Sequence, residues 1–135
     1  MNIHIEVIDH DQQRYDTCGD WWFDKGGDLQ IKVSDTGNWQ LNFLVARHEL
    51  DEAILCYRNG VGQDSVDKYD LAHPEAGSDD FSANPDAPYY QYHNDALASE
   101  WQMARLLGVD WIKYGQALEK VGWRKKDGDE AVTGR

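Results

Sequence analysis

Phe43-Leu44-Val45-Ala46-Arg47-His48-Glu49-Leu50-Asp51-Glu52-Ala53-Ile54-Leu55-Cys56 decides how this chain folds. An apolar run of this length, interrupted only by scattered charges, reads as the middle of a long buried helix. Ser34-Asp35-Thr36-Gly37-Asn38 supplies turn and cap residues before it, and Asn59-Gly60 supplies a stop. The helix is therefore expected from about Trp39 to Arg58. At roughly 100° per residue, Gln40, Arg47, Asp51 and Arg58 fall within about 40° of one another and form the expected solvent stripe. Glu49 and Cys56 lie nearly opposite that stripe, and His48 and Glu52 lie on its flank. Three ionisable groups thus point away from bulk water, among Leu41, Val45 and Leu55.

A buried carboxylate must be paired, neutralised or bound to a metal. One arrangement is purely local, with Glu52 accepting from His48 or from a cap elsewhere. The other is a metal site. His48 and Glu52, at i and i+4, share one helix face, and histidine and carboxylate are ordinary zinc ligands. Two ligands leave a third to come from elsewhere. His93 is the first choice, because it begins a later helix on an otherwise apolar face. Asp70, Glu100 and Asp67 are weaker choices, with Glu100 alternatively orienting His93 from outside the ligand set. Glu49, next to His48, is the expected general base beside a metal-bound water. Its bland alternative is a hydrogen bond to the sheet or to the indole of Trp21 or Trp22.

Upstream of the long helix the pattern is that of strands. Ile3, Ile5 and Val7 alternate with His4 and Glu6 as a half-buried first strand. Tyr15 to Phe23 is a second. Asp24-Lys25-Gly26-Gly27-Asp28 is a turn, and Leu29, Ile31 and Val33 alternate in a third. A hairpin across Gly26-Gly27 pairs the last two. Downstream, Ser65 to Asp70 reads as a short helix or turn and residues 72–88 as a long surface loop. Helices are expected from Tyr90 or His93 to Leu107, ended by Gly108, and from Asp110 to Val121. The fold class is α+β: a small antiparallel sheet of about three strands followed by three helices. Residues 1–123 form one domain, and 124–135 a polar tail.

The remaining histidines, His4, His10 and His73, read as surface residues. Tyr89, Tyr90 and Tyr92 suit either a pocket wall or ordinary packing at a helix start. Cys18 and Cys56 lack the C-x-x-C spacing of a structural zinc site, and Cys56 reads best as a small buried hydrophobe.

Composition narrows the function. The 135 residues carry a formal net charge of −12, with 41% hydrophobic residues and six tryptophans, so the chain is expected to fold rather than to remain an acidic coil. No basic patch precedes Arg124-Lys125-Lys126, which argues against direct nucleic-acid binding. The acidity fits either simple solubility or a surface that competes with nucleic acid for a basic host partner. No apolar run reaches the roughly 18 residues of a membrane span. With no signal peptide apparent at the start and only two cysteines, a cytoplasmic location with reduced thiols is expected.

The trio His48-Glu49…Glu52 resembles the H-E-x-x-H helix of zinc peptidases with glutamate in place of the second histidine. Strands, then this helix, then helices carrying a third ligand resemble the minimal core of the zincin metallopeptidases. The chain is also similar to a group of small phage and prophage proteins. The shared elements are Gly19-Asp20-Trp21, His48-Glu49-x-x-Glu52-Ala53, Asp67-Lys68-Tyr69-Asp70 and Pro88-Tyr89…His93, over residues 3–115. The resemblance implies a zincin-like fold, His48 as a zinc ligand, Glu49 as the base, and hydrolysis of a peptide or amide bond in a peptide or protein substrate. Glu52 departs from the family pattern. Its added negative charge weakens the Lewis acidity of the metal, which makes metal binding the firmer expectation and peptidase activity the weaker one.

Overall fold

The computed structural model describes residues 1–72 and 85–130, and of Asp70 and residues 123–130 the backbone alone. Three strands, β1 (Ile3–Ile8), β2 (Gly19–Phe23) and β3 (Leu29–Ser34), precede four helices. These are α1 (Trp39–Arg58), α2 (Gln63–Ala72), α3 (Tyr90–Leu107) and α4 (Trp111–Glu130). A short 3₁₀ turn, His10–Gln12, comes just after β1. The class is α+β, as the sequence implies. Most of the expected 72–88 loop, with His73, lies outside the described residues.

The sheet is mixed rather than antiparallel. Its order is β1-β3-β2, with β1 parallel to β3 and β2 antiparallel to it. The β2–β3 hairpin forms as expected. Asp24 Oδ1 accepts from the amides of Gly26 (2.9 Å) and Asp28 (3.0 Å), and Gly27 turns the chain at φ 84°. Residues 9–18 carry the chain past β3's place in the sheet, so that β3 later inserts between β1 and β2. The expectation of an all-antiparallel sheet fails at β1 because alternation of apolar residues identifies a strand but carries no information about its direction. Among the described residues the helices number four, because the segment around Ser65–Asp70 extends into a ten-residue helix, and the last helix continues beyond Val121 to Glu130.

α1 begins where Asn38 accepts from the amides of Gln40 (2.9 Å) and Leu41 (3.4 Å). It ends as Asn59 bonds back to Leu55 and Gly60 adopts φ 75°. α3 ends at Gly108, whose φ of 72° lets Val109 N–H reach the carbonyl of Ala104 at 2.9 Å. The core lies between one face of the sheet and α1, with Leu29, Ile31, Val33, Leu44, Ala53 and Cys56 fully enclosed. α1 packs on β2 and β3 and against α3. Its expected solvent stripe is consequently half covered: Arg47 bonds Ser99 of α3 at 3.2 Å and pairs with Asp51 at 3.3 Å. The exposed line runs instead through Trp39, Phe43 and Tyr57. No helix among the described residues is long and apolar enough to cross a membrane.

Truncating a fully enclosed side chain leaves a cavity in a core this small. Leu44→Ala is expected to lower the unfolding free energy by about 2–5 kcal/mol. Leu106→Ala, at an exposed position, should change it by about 0.5 kcal/mol or less. Urea unfolding of both variants checks the contrast.

Candidate metal centre

His48 and Glu52 stand one turn apart on the buried side of α1, and His93 comes from the first turn of α3. The structure brings these three together. His48 Nε2 lies 3.1 Å from His93 Nδ1 and 3.5 Å from Glu52 Oε2, and His93 Nδ1 lies 2.9 Å from that same oxygen. Three potential ligand atoms thus form a small triangle, in which each residue offers one atom. Ligands bound tetrahedrally with bonds of roughly 2.0–2.1 Å sit about 3.3 Å apart. The three observed edges bracket that length.

The atoms of Glu52 and His48 that face away from the triangle have partners. The Trp21 indole N–H donates to Glu52 Oε1 at 2.8 Å. His48 Nδ1 faces Glu100 Oε1 at 2.8 Å, out of line for a well-formed hydrogen bond but close enough for charge attraction. The Tyr114 hydroxyl donates to Glu100 Oε2. A carboxylate behind a histidine favours a proton on Nδ1 and leaves Nε2 free to ligate. Strand β2 and helices α1, α3 and α4 each contribute a residue to this buried network, so the tertiary fold fixes the spacing of the triangle.

Electrostatics follow from that enclosure. Burial opposes the charged form of His48, but the contacts with Glu100 and Glu52 outweigh it and hold the imidazole well above its ordinary range. Burial pushes Glu52 up, yet His48 and His93 outweigh it and pull the carboxyl down to about 2. Glu49 goes the other way. Burial, reinforced by the negative charge of Glu52, raises it well above the usual carboxylate range. Two neighbouring glutamates of one helix are thereby driven apart, one toward the anion and one toward the neutral acid.

Glu49 does not bond an indole. Its side chain lies across Gly19 of β2, where a Cβ would come within 2.6 Å of its Cγ. Gly19-Asp20-Trp21 therefore has a role at each position. Gly19 admits Glu49, Asp20 is gripped by Arg14 at 2.6 and 3.3 Å, and Trp21 holds Glu52. Glu100 belongs to the network, but it backs His48 rather than His93. Asp67 lies apart from the ligands, 3.0 Å from Gln63 and 4.0 Å from Arg14. The Asp70 side chain lies outside the described residues. Tyr89 is buried edge-on against Tyr69, consistent with packing.

Tyr114 is the member that sequence reasoning misses, because its position places it on the apolar face of the last helix. The available signal is its hydroxyl, since a buried tyrosine needs a partner. His10 also departs from expectation. It is not a free surface residue but bridges Ser34 Oγ (2.7 Å) and Asp16 Oδ1 (2.8 Å). The trio has a serine–histidine–carboxylate composition, but Ser34 is fully enclosed and so cannot meet a substrate. The contacts fasten the 3₁₀ turn to β3.

Trp21→Phe should leave Glu52 Oε1 buried without a donor and lower stability by about 1–3 kcal/mol beyond the lost ring area, a deficit readable by urea unfolding. Cys56 gives a second check. Burial first, and then the charge of Glu52, push its thiol up to about 12. It is therefore neutral near pH 8 and should resist alkylation until the chain unfolds, as peptide mapping after iodoacetamide treatment would show.

Comparison with protein-family models, with curated proteins and with solved structures found no match.

Proposed function

We propose that this chain is a small metalloprotein that holds one divalent ion with His48, Glu52 and His93. The observation that carries the reading is the triangle of ligand atoms, taken with the outer contacts that turn Glu52 Oε2 and His48 Nε2 toward its centre. Two imidazoles and one carboxylate suit zinc in tetrahedral coordination, with a position left for water or substrate. The same donor set also suits other first-row ions.

The hydrolytic reading rests on Glu49 and on the resemblance to the zincin core, with ligands from a His-Glu helix and from a later helix. A bound zinc ion supplies Lewis acidity and an acidified water. The chain's own part is to orient and to move protons. Glu49, held against Gly19 beside His48, would be the group to exchange a proton, with a bound cation drawing it back toward the carboxylate. Trp21 and Glu100 keep their ligands aligned, and Tyr114 keeps Glu100 aligned. The substrate class this chemistry fits is a peptide or amide carbonyl.

Protein purified without chelators should carry about one divalent ion per chain by elemental analysis. Free zinc at about 100 times its Kd should add about 2.7 kcal/mol of stability to the stripped protein. His48→Ala should lose both the ion and the thermal shift. Glu49→Gln should keep the ion while losing hydrolysis of an amide substrate. Absence of metal uptake by the stripped wild-type protein, or equal uptake by His48→Ala, removes the reading. Activity retained in Glu49→Gln removes only its hydrolytic part.

A further inference from the structure

The edge strand β1 has an unusual surface. Its register pairs Ile3 with Leu29, Ile5 with Ile31 and Val7 with Val33. Paired residues share a face of the sheet, so these three side chains lie on the face that carries the core. Their partners on β3 are fully enclosed, yet Ile3, Ile5 and Val7 are 47%, 48% and 47% exposed. The reason is the footprint of α1, which lies mainly on β2 and β3. An apolar row therefore stands uncovered on a strand without proline, lysine or arginine, the devices that usually protect an edge.

The backbone of the same strand points outward at the same residues. The carbonyls of Asn2 and Ile8 accept from Leu29 and Asp35, so the even-numbered residues of β1 face β3. The peptide groups of Ile3, Ile5 and Val7 face the free edge. Among the described residues no backbone bond fills that edge.

The sequence of β1 is complementary to itself. An antiparallel pairing about Ile5 sets Ile3 opposite Val7 of a second copy and Ile5 opposite Ile5. On the other face it sets His4 opposite Glu6 of the second copy, twice by symmetry. The apolar pairs fall at the residues whose peptide groups point outward, which makes them the hydrogen-bonded pairs of the ladder, with about six new bonds. His4 and Glu6 fall at the closer, non-bonded positions. Glu6, already paired with Lys32 of β3, would then lie between two partners. Sliding the register by one residue in each chain fails. Centred on residue 4 it opposes His4 to His4, and centred on residue 6 it opposes Glu6 to Glu6.

We infer that the partner of this edge is a second copy of the chain, joined β1 to β1 across a two-fold axis at Ile5 into a continuous six-stranded sheet. Sedimentation velocity over a dilution series of the full chain tests this directly. The wild-type protein should show a dimer that dissociates on dilution. Ile5→Lys, which places two like charges at the axis, should be monomeric throughout with unchanged far-ultraviolet circular dichroism and unchanged metal content. Cysteine pairs test the register without depending on that variant. Hydrogen-bonded pairs have Cα atoms about 5.5 Å apart, within disulfide reach. Under oxidation Ile5→Cys should link to itself. Ile3→Cys and Val7→Cys should link only when mixed, with peptide mapping to exclude Cys18 and Cys56. A wild-type chain that stays monomeric at all concentrations overturns the inference, as does Ile3→Cys linking to itself as readily as Ile5→Cys. Metal content unchanged in Ile5→Lys separates this result from the fate of the metal site.

Discussion

An ionised carboxylate inside the protein is the constraint on which this structure turns. Glu52 is enclosed, and burial alone would drive it to the neutral acid. Contacts from His48, His93 and Trp21 instead keep it an anion. Each comes from a residue that must be held in place by its own element. β2 must bring Trp21 under α1, and α3 must bring His93 across it. Glu100 must stand behind His48, and α4 must bring Tyr114 to Glu100. Loss of any one leaves a buried polar atom unmatched, at a cost comparable to a sizeable part of a small domain's stability.

The same constraint gives the site its chemical character. Two glutamates three residues apart on one helix are shifted in opposite directions, because two imidazoles draw Glu52 down while burial, reinforced by the charge of Glu52, raises Glu49. Shifts of this kind occur at functional sites and in structural ion networks alike. Gly19 matters here for what it lacks, since any side chain would occupy the space of Glu49.

The sheet shows what a single long helix can and cannot cover. α1 packs mainly on two of three strands, and β1 is left with its apolar row exposed and, among the described residues, with its peptide groups unpaired on one side. The three apolar residues and the two polar ones alternate so that reversal of the strand restores the same pattern with His4 and Glu6 exchanged. Incomplete coverage by the helix layer and a self-complementary edge therefore coincide in one strand.

The sequence by itself determined the elements that depend on local forces. The bounds of α1 were legible from Asn38 and from Asn59-Gly60, the hairpin from Asp24 to Asp28, and the end of α3 from Gly108. These residues act through backbone bonds within a few positions of themselves. It also marked His48, Glu49 and Glu52 as needing an internal partner, and His93 as the residue to join them. Only the tertiary structure decided the rest. The direction of β1 depends on which route residues 9–18 take. The exposed face of α1 depends on where α3 lies against it. That Glu100 backs His48, that Tyr114 backs Glu100 and that Trp21 holds Glu52 depend on contacts between residues 14 to 52 positions apart. No periodicity records such contacts, because they arise only when separate elements pack and their buried polar atoms must find one another.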